Sequence, residues 1–440
     1  MGEREFDLVV IGGGITGAGL FQRAASLGLR VVLLEKGSAG TQTTGASSGL
    51  VHGGLRYLPY DVGTSILCCR ECGTLRRLYP ELLRRQAFLW PVYRADPHGI
   101  ELLESFLEYY DHFAQLRESR LHVRLAPSEV AELEPNLKLE GLMGAVSFDE
   151  WTVDAVALVR RLLEEGRRYG GEVLEGAHAT NFEIRGGKVE RVRFSVLGAE
   201  HSEVCGRIIV NATGPWAEQT ARSAGCEMVR LTLRKGIHLI LDDSPARHGL
   251  IFWDLTGRPI GLYPRGRRAW IGPTDDPFNG LADDVVDARK ERSMLWEEVR
   301  RLFPGLAPDR ARTVAGLRPI LHQRGPWPLS RDYRVYDHAQ EGLANFITVT
   351  GGKLTIYRLM AEEALRLIHS KLGRDVAQAR DGYPPSDLMA KEPARYSRLG
   401  SFLISVALLA YFAARHALIR ITGAGRCGIR LFRRTYGEEA

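Results

Sequence analysis

The stretch FDLVVIGGGITGAG, residues 6–19, decides how this chain folds. Its first part is the apolar run of a buried parallel strand, and the residues after the glycines carry the apolar spacing of a helix. Between them Gly12, Gly14 and Gly17 form a G-x-G-x-x-G turn. Such glycines allow a tight turn, let the backbone approach a pyrophosphate and let the helix pack on the strand. The pattern predicts a dinucleotide site at this turn.

A second apolar segment, LRVVLLEK, ends at Glu35, where an acidic residue would accept hydrogen bonds from ribose hydroxyls. Strand, helix and acid together favour dinucleotide binding over the alternative, a tight turn without a ligand. The position of the motif close to Met1 and the Ser/Thr/Gly-rich segment behind it favour FAD over NAD. Residues 207–217, RIIVNATGPWA, agree, because a strand there runs into a small-residue turn that suits contact with a cofactor. The alternative for this turn is an ordinary strand end.

Composition and charge set broad limits on the protein. Hydrophobic residues make up 45% of the 440-residue chain and charged residues 25%, which is typical of a globular protein with two domains. The formal net charge is +6, and arginines outnumber lysines heavily. This balance suits an anionic substrate or an anionic membrane surface without identifying either. No nucleic-acid partner is expected.

The six cysteines are too few for a disulfide scaffold, and no signal peptide is recognisable. We therefore expect a reducing, cytoplasmic setting. Three cysteines cluster at Cys68, Cys69 and Cys72, but a metal site needs further ligands. We interpret them as buried thiols and predict no metal.

The stretch SSGLVHGGLRYL, residues 47–58, places Gly53 and Gly54 directly before Arg56 and Tyr57. Adjacent glycines usually mark a place where another group comes close to the backbone. We expect the flavin ring to be that group and Arg56 to be the cation just beyond it.

Six motifs together resemble those of the FAD-dependent (respiratory) glycerol-3-phosphate dehydrogenases, members of the D-amino-acid-oxidase-like flavoprotein superfamily. In chain order they are IGGGITGAG, SSGLVHGGLRYL, VNATGPW, GLRPIL, SRDY and TGGKLTIYR. The HGGLRYL and GGKLTIYR segments are the specific ones, whereas the first and third motifs would fit the whole superfamily. The resemblance implies a mixed α/β fold. In it, a Rossmann-like FAD-binding domain is interleaved with an antiparallel-sheet substrate domain, and a short apolar helix follows near the C-terminus.

On this plan the predicted FAD-binding domain is discontinuous and comprises residues 1–75, 148–228 and 310–375. The predicted substrate-binding domain comprises residues 76–147 and 229–309, and residues 376–440 form a tail with a helix at 401–421. Strands with a Gly-Gly hairpin at Gly186 and Gly187 are predicted over residues 170–194. Further strands that could line a substrate pocket are predicted at 233–241, 260–265 and 269–275, and residues 75–113 are predicted to be mainly helical.

The resemblance implies oxidation of sn-glycerol 3-phosphate to dihydroxyacetone phosphate by hydride transfer to non-covalently bound FAD. Electrons would pass on to a membrane quinone. This reaction needs a base for the hydroxyl proton, cations for a dianionic phosphate, and positive charge near the flavin. Two alternatives stay open: an FAD-dependent oxidase or dehydrogenase of an amino acid or 2-hydroxy acid, and a non-enzymatic flavin-bound scaffold at the membrane.

Candidate site residues follow from the matching motifs. An arginine fork can make paired hydrogen bonds to phosphate oxygens. The expected substrate-binding residues are Arg56, Tyr57, Arg318, Arg331 and Lys353. The expected catalytic residues are His238, Arg318 and Lys353.

His238 is the candidate base, with Tyr57 or His52 as a partner, although a histidine on an apolar strand is more often a core residue. The family pattern has a serine where this chain has Ile237 and a hydroxyl residue where it has Pro273. Both changes are expected to make one side of the pocket less polar.

The expected cofactor-binding residues lie in five segments of the chain. They are Gly12, Gly14, Ile15, Thr16, Gly17, Glu35, Lys36, Thr44, Ser47, Ser48, His52, Gly53, Gly54, Ala212, Thr213, Gly214, Trp216, Gly351, Gly352, Lys353, Leu354 and Thr355.

The tail has a composition of its own. Residues 402–414 are apolar apart from one serine, which is short for a membrane span, and residues 401–437 contain six arginines and no acid. An apolar helix with a basic tail is typical of an interfacial anchor on an anionic leaflet. We expect peripheral or monotopic association with the cytoplasmic face of the cell membrane. A helix that is buried or forms an oligomer is the alternative, and a homodimer is compatible with either.

Overall fold

The structure is a computed structural model. It describes residues 5–59, 61–196, 202–284, 288–306, 311–323, 332–374 and 428–437, together with residues 407, 410, 411, 414, 415 and 417. The strands are β1 (Glu5–Ile11), β2 (Val31–Glu35), β3 (Leu50–Val51), β4 (Arg84–Tyr93), β5 (Val123–Leu125), β6 (Leu142–Thr152), β7 (Glu172–Glu175), β8 (Ala177–Arg185), β9 (Lys188–Val196), β10 (Ser202–Asn211), β11 (Leu231–Leu241), β12 (Gly249–Trp253), β13 (Pro259–Arg265), β14 (Arg268–Gly272), β15 (Asp276–Pro277), β16 (Arg312–Leu321), β17 (Tyr333–Asp337) and β18 (Phe346–Gly351). The helices are α1 (Ile15–Ser26), α2 (Val62–Leu78), α3 (Ile100–Asp111), α4 (Ala114–Arg117), α5 (Pro127–Leu133), α6 (Ala155–Arg168), α7 (Ala217–Ser223), α8 (Arg289–Leu302), α9 (Tyr357–Leu372) and α10 (Ile429–Tyr436). Short 3-10 turns lie at Leu55–Tyr57, Gly214–Trp216, His338–Glu341 and Leu354–Ile356.

The first sheet has the strand order β17-β18-β10-β1-β2-β7, with the β8–β9 hairpin attached to β10. Strands β18, β10, β1, β2 and β7 are parallel, and β17 closes one edge in the antiparallel sense. The central strands are buried along most of their length, as expected for parallel strands covered on both faces. Helices α1, α6 and α9 share one core with this sheet. This is the Rossmann-like arrangement that the glycine motif predicted.

The glycines of the first motif are required by close packing. A side chain at Gly17 would place its Cβ 1.9 Å from the carbonyl oxygen of Gly12, where α1 crosses β1. Gly12 has φ +105°, and a Cβ there would lie 2.6 Å from the carbonyl oxygen of Ala212 at the end of β10. The motif therefore brings α1, β1 and β10 together around one turn.

The second sheet has the order β15-β11-β14-β13-β12-β4-β6-β3, with β16 beside β11 and β5 beside β6. Its neighbours are antiparallel except for β12 and β4. Helices α5, α8 and α10 cover one face and bury a core of aliphatic and aromatic side chains. The mixed α/β class with an interleaved antiparallel sheet is confirmed.

The predicted domain segments map onto the two sheets with three differences. All strands of the first sheet lie in segments assigned to the cofactor domain. However, β3, the last part of β6 and all of β16 fall in those segments but belong to the second sheet. Strand β16 pairs with β11 over ten residues, so the two predicted domains share a continuous ladder.

Two predictions of local structure have clear outcomes. The hairpin at Gly186 and Gly187 is confirmed, because β8 and β9 pair there and both glycines have positive φ. The helical prediction for residues 75–113 is wrong in its middle, where β4 is a strand paired with β6 and β12. Residues 87–93 of β4 are continuously buried, so periodicity could not separate a buried strand from a buried helix.

The described residues of the tail contact the protein itself. Arg415 forms an ion pair with Glu108 of α3, and the Tyr411 ring lies 6.0 Å from the Tyr109 ring. In α10, Phe432 is fully buried, and Arg433 pairs with Glu132. The rest of the predicted helix 401–421 lies outside the described residues. Among the helices that are described, none is both long and apolar enough to cross a bilayer.

Candidate functional site

A cavity of about 460 Å³ opens where the carboxyl ends of the first sheet meet the edge of β16. Most of the predicted cofactor residues line it. They are Gly12, Gly14, Ile15, Thr16, Glu35, Lys36, Thr44, Ser47, Ala212, Thr213, Gly214, Trp216, Gly351, Gly352, Lys353 and Leu354. The remaining predicted cofactor residues do not lie on its wall: Gly17, Ser48, His52, Gly53, Gly54 and Thr355.

One end of the cavity suits a ribose. Glu35 ends β2, and its carboxylate accepts hydrogen bonds from the backbone N–H groups of Gly13 at 2.6 Å and Gly37 at 2.7 Å. These bonds hold the side chain at the cavity wall with acceptor capacity left on both oxygens. The position matches what the dinucleotide pattern requires of an acidic residue at the end of the second strand.

The middle of the cavity suits a pyrophosphate. Helix α1 begins after Gly14 with no side-chain cap and no acidic residue in its first turn. The N–H of Ile15 donates to the Thr44 hydroxyl at 3.1 Å, so a neutral side chain lies at the positive end of the helix. A helix N-terminus of this kind favours an anion. The glycine turn, Glu35 and this helix end together fit FAD.

Arg318 of β16 brings a positive charge to the cavity wall. Its guanidinium lies over Gly236, where a Cβ would be 2.2 Å from Nη2, which explains the glycine in the KGIH segment. Its Nη1 is 3.2 Å from Oδ1 of Asp275, a carboxylate that also binds Arg234. Arg318 is therefore held in place and partly neutralised.

Arg56, Tyr57 and Lys353 form a second group beside the cavity. The Tyr57 ring lies near both cations, with Arg56 Cζ at 5.8 Å and Lys353 Nζ at 4.9 Å from the ring centroid. Tyr57 is buried and Arg56 is exposed. In the part of the chain that the structure describes, Arg56 has no carboxylate partner. Arg331, the third predicted anchor, lies outside the described residues.

Arg265, at the end of β13, is a site residue that the sequence reasoning missed. Burial raises the pKa of Tyr263 to about 12, and the charges of Arg56, Arg265 and Arg318 all act against that rise. Three guanidinium groups therefore act on one buried hydroxyl. Arg265 also stacks on Trp270 at 4.2 Å and donates to the carbonyl oxygen of Ser48. The strand was predicted to line the pocket, but alternation along it did not single out this arginine.

His238 of β11 is buried next to this arginine group. Burial, followed by the charges of Arg318 and Arg265, lowers the pKa of His238 to about 3. A hydrogen bond to the backbone of Ala46 acts against this lowering, and the ring lies 5.5 Å from that of Trp270. The imidazole is therefore neutral at physiological pH and has an acceptor nitrogen.

The structure shows where Ile237 and Pro273, the two departures from the family pattern, lie. Ile237 does not make the pocket less polar, contrary to the prediction, because its side chain is fully buried in the core on the opposite face of the second sheet. Successive side chains of a strand point to opposite faces, so His238 and Ile237 cannot share one. Pro273 follows β14, and the next residue, Thr274, accepts a hydrogen bond from the N–H of Ile237 at 3.1 Å.

The reason for the glycine at position 53 also differs from the prediction. A Cβ there would lie 2.1 Å from the Tyr110 hydroxyl and 2.5 Å from Cδ of Arg117, so protein atoms fill the space. Contact between this backbone and the flavin stays a prediction. Cys68, Cys69 and Cys72 are buried, as predicted, and burial raises their pKa values.

The comparisons with known proteins agree with FAD as the cofactor. Residues 7–364 match the family model described as FAD dependent oxidoreductase. The chain is 30% identical over 387 residues to the aerobic glycerol-3-phosphate dehydrogenase of Staphylococcus aureus strain USA300, covering 84% of this chain and 68% of that one.

Two solved structures share the fold. The FAD complex of glycerol-3-phosphate dehydrogenase from Bacillus halodurans has a TM-score of 0.68 at 22% identity, covering 99% of this chain and 83% of that one. Glycine oxidase from Bacillus cereus has a TM-score of 0.62 at 19% identity, covering 86% and 100% respectively. These two proteins are named for different substrates, so the shared fold does not by itself identify the substrate.

Proposed function

Because the chain belongs to the family of FAD-dependent oxidoreductases, we propose that it oxidises sn-glycerol 3-phosphate at C2 to dihydroxyacetone phosphate. Bound FAD would supply the hydride acceptor. The observation that carries the proposal is the group of three arginines, Arg56, Arg265 and Arg318, whose charges all act on the buried Tyr263, with Arg318 on the wall of the cofactor cavity. A dianionic phosphate needs several cations, whereas a single carboxylate is satisfied by one bidentate arginine.

The residues of the chain divide the remaining tasks. The arginine group would bind the phosphate and orient the three-carbon substrate. His238 would accept the proton of the C2 hydroxyl while the hydride leaves C2, so that a ketone forms. A bound phosphate would offset the arginine charges that lower the pKa of His238, which makes the imidazole more basic when substrate is present. Lys353, close to Tyr57, would supply positive charge near the flavin.

The proposal is tested by anaerobic titration of the FAD-loaded protein, followed by the visible absorbance of the flavin. Glycerol 3-phosphate should bleach the flavin, whereas glycerol, glycine and lactate should leave it oxidised. Bleaching by glycine or lactate alone would support the amino-acid or 2-hydroxy-acid alternative. A flavin that none of the four compounds reduces would support the scaffold alternative.

We also propose that the electrons pass to a membrane quinone and that the protein works at the cytoplasmic face of the membrane. Support comes from the apolar segment 402–414 and the arginines that follow it in the sequence. Flotation with vesicles containing phosphatidylserine should carry the protein upward at low salt, and quinone addition should reoxidise the flavin. Protein that stays at the bottom of the gradient would contradict the proposed location.

A further inference from the structure

A buried polar cluster lies behind the loop that carries Arg56. We call it the loop-backing cluster; it consists of Cys69 of α2, Tyr110 of α3, Arg117 of α4 and Glu150 of β6. Cys69, Tyr110 and Arg117 are 0% exposed and Glu150 is 4% exposed. None of them lines the cofactor cavity or takes a role in the chemistry proposed above.

The cluster binds both backbone polar groups of Gly53. Oε2 of Glu150 accepts from the Gly53 N–H at 3.0 Å, and the Cys69 thiol donates to the Gly53 carbonyl oxygen at 3.2 Å. The other Glu150 oxygen accepts from the Tyr110 hydroxyl at 2.6 Å. Arg117 Nη1 lies 3.9 Å from Oε2, and its guanidinium lies 3.8 Å from the centroid of the Tyr110 ring.

The position of Gly53 determines the positions of Arg56 and Tyr57, which are predicted to bind the substrate. Gly54 follows in the left-handed region, with φ +81°, and begins the 3-10 turn Leu55–Tyr57. The Gly54 carbonyl oxygen accepts from the Tyr57 N–H at 2.8 Å and from the Ser65 hydroxyl at 2.9 Å. A shift of Gly53 would therefore move the turn on which Arg56 and Tyr57 stand.

The buried Arg23–Glu362 pair differs, because it joins α1 to α9 through a side-chain contact. Glu150 instead uses one oxygen on the main chain of the loop, where a buried N–H without an acceptor would be costly. Its carboxylate therefore affects the conformation of the loop as well as the stability of the fold.

We propose that Glu150, held by Tyr110 and Arg117, is a positioning residue. It fixes the positions at which Arg56 and Tyr57 meet the substrate. The effect on substrate affinity rests on the proposed function, whereas the effect on the loop does not. Glu150 does not touch the substrate in this account. It acts through Gly53.

The charge on Glu150 links this position to pH. Burial raises the pKa of Glu150 to about 7, and Arg117 and Tyr110 act against that rise. The titratable or charged groups that face it are Arg117, Tyr110, Asp149, Cys68, Cys69 and Cys72. Protonation below about pH 7 removes the attraction to Arg117 and weakens the acceptor for Gly53. The KM for glycerol 3-phosphate should therefore rise as the pH falls through about 7.

The test is Glu150→Gln in the full FAD-loaded chain. FAD content should be kept, and the KM for glycerol 3-phosphate should rise about 10- to 100-fold, as expected for a lost hydrogen bond to a charged group. The rate at saturating substrate should change much less. In this variant, KM should no longer rise because of Glu150 as the pH falls below about 7. The separate change in KM caused by protonation of the substrate phosphate, whose second pKa is ~6, should persist.

Glu134→Gln is the matched control. Glu134 is also a buried carboxylate that accepts from backbone N–H groups, those of Arg247 and His248, but it has no bond to the loop at 51–57. This variant should lose stability without changing KM or its pH dependence.

Hydrogen–deuterium exchange provides a readout that needs no substrate. Amides of residues 51–57 should exchange at least about 10-fold faster in Glu150→Gln than in wild type or Glu134→Gln, as local opening requires. Tyr110→Phe should lie between, and it replaces Glu150→Gln should that variant fail to fold. Unchanged exchange overturns the inference, even in a protein that glycerol 3-phosphate does not reduce. If amides exchange faster in Glu150→Gln but glycerol 3-phosphate does not reduce the wild-type flavin, only the proposed substrate is overturned.

Discussion

The surroundings of Arg56 and Tyr57 favour the substrate-binding role proposed for them. Tyr57 is buried near two cations, and one of them, Arg56, is exposed with no carboxylate partner in the described chain. Arg318, by contrast, already pairs with Asp275. Arg56 therefore has more to gain than Arg318 from an incoming phosphate.

Arg56→Ala should weaken glycerol 3-phosphate binding by about 1.5–3 kcal/mol, the value of a hydrogen bond to a charged group. FAD content should stay at the wild-type level, because Arg56 is not on the cavity wall. The measurement is the substrate concentration that half-reduces the flavin. Arg70→Ala, which removes an exposed arginine on α2, is the control and should change nothing. Equal affinity in both variants would remove Arg56 from the phosphate site.

His238 makes a prediction about acid stability. Its pKa is lowered to about 3 in the folded protein, against ~6.5 in the unfolded chain, so only the unfolded state takes up the proton between these values. Stability is therefore lost as the pH falls below about 6.5, by about 2 kcal/mol at pH 5.

In urea unfolding, His238→Gln should reduce the drop between pH 7.5 and pH 5 by that amount, and the exposed His98→Gln should not. An identical drop in wild type and His238→Gln would show that His238 is not held in its neutral form.

For individual residues, the sequence predicted the position in the structure better than the role. Gly12, Gly14 and Glu35 lie on the cavity wall because one local turn brings them there. Arg265 was missed because its role depends on Arg56 and Arg318, which approach from distant segments. Ile237 was assigned to the wrong side because the face that each residue of β11 presents is set by its pairing, not by its neighbours in the sequence.

Among the elements, those with strong local signals were predicted well and those stabilised by distant partners were not. Strand β1, helix α1 and the β8–β9 hairpin follow from periodicity and turn glycines. Strand β4 was read as helical because its apolar run is buried on both faces and its partners, β6 and β12, lie far away in sequence.

Helix α10 offers a test of how the tail behaves. Phe432 is 0% exposed and lies 5.4 Å from the His248 ring, within the core of the second sheet. Phe432→Ala should lower the free energy of unfolding by about 3–5 kcal/mol, as cavity formation in a core does. Denaturant unfolding measures this, with the exposed Arg434→Ala as control. A variant as stable as wild type would mean that α10 does not pack there in solution.

The loop before α8 reaches across the cofactor cavity. Asp283 accepts from Nε1 of Trp216 at 2.7 Å and from Nζ of Lys36 at 3.0 Å, and all three residues line the cavity. Asp283→Ala should speed FAD dissociation about fivefold, which corresponds to about 1 kcal/mol for one exposed ion pair and one hydrogen bond.

Release of flavin fluorescence on dilution measures this rate. Asp243→Ala, which breaks an exposed pair with Arg267 elsewhere, should leave it unchanged. Equal release rates in the two variants would show that this loop does not retain FAD.

In the whole molecule, the site forms because the chain segments of the two sheets are interleaved. The glycine turn lies in the first sheet, whereas His238, Arg265 and Arg318 lie in the second, where the β11–β16 ladder carries His238 and places Arg318 on the cavity wall. The resemblance implied this architecture, but single-sequence patterns could not have shown the ladder, because β11 and β16 are separated by most of the substrate segment. The proposed reaction would therefore depend on the contact between the two sheets.

In the proposed reaction, bound FAD takes a hydride from C2 of glycerol 3-phosphate. The most direct test is an anaerobic single turnover of the FAD-loaded protein with one equivalent of substrate, compared with substrate deuterated at C2. Bleaching should be slower with the deuterated substrate, and one dihydroxyacetone phosphate should form for each flavin reduced. Bleaching at equal rates without that product, or no bleaching at all, would contradict it.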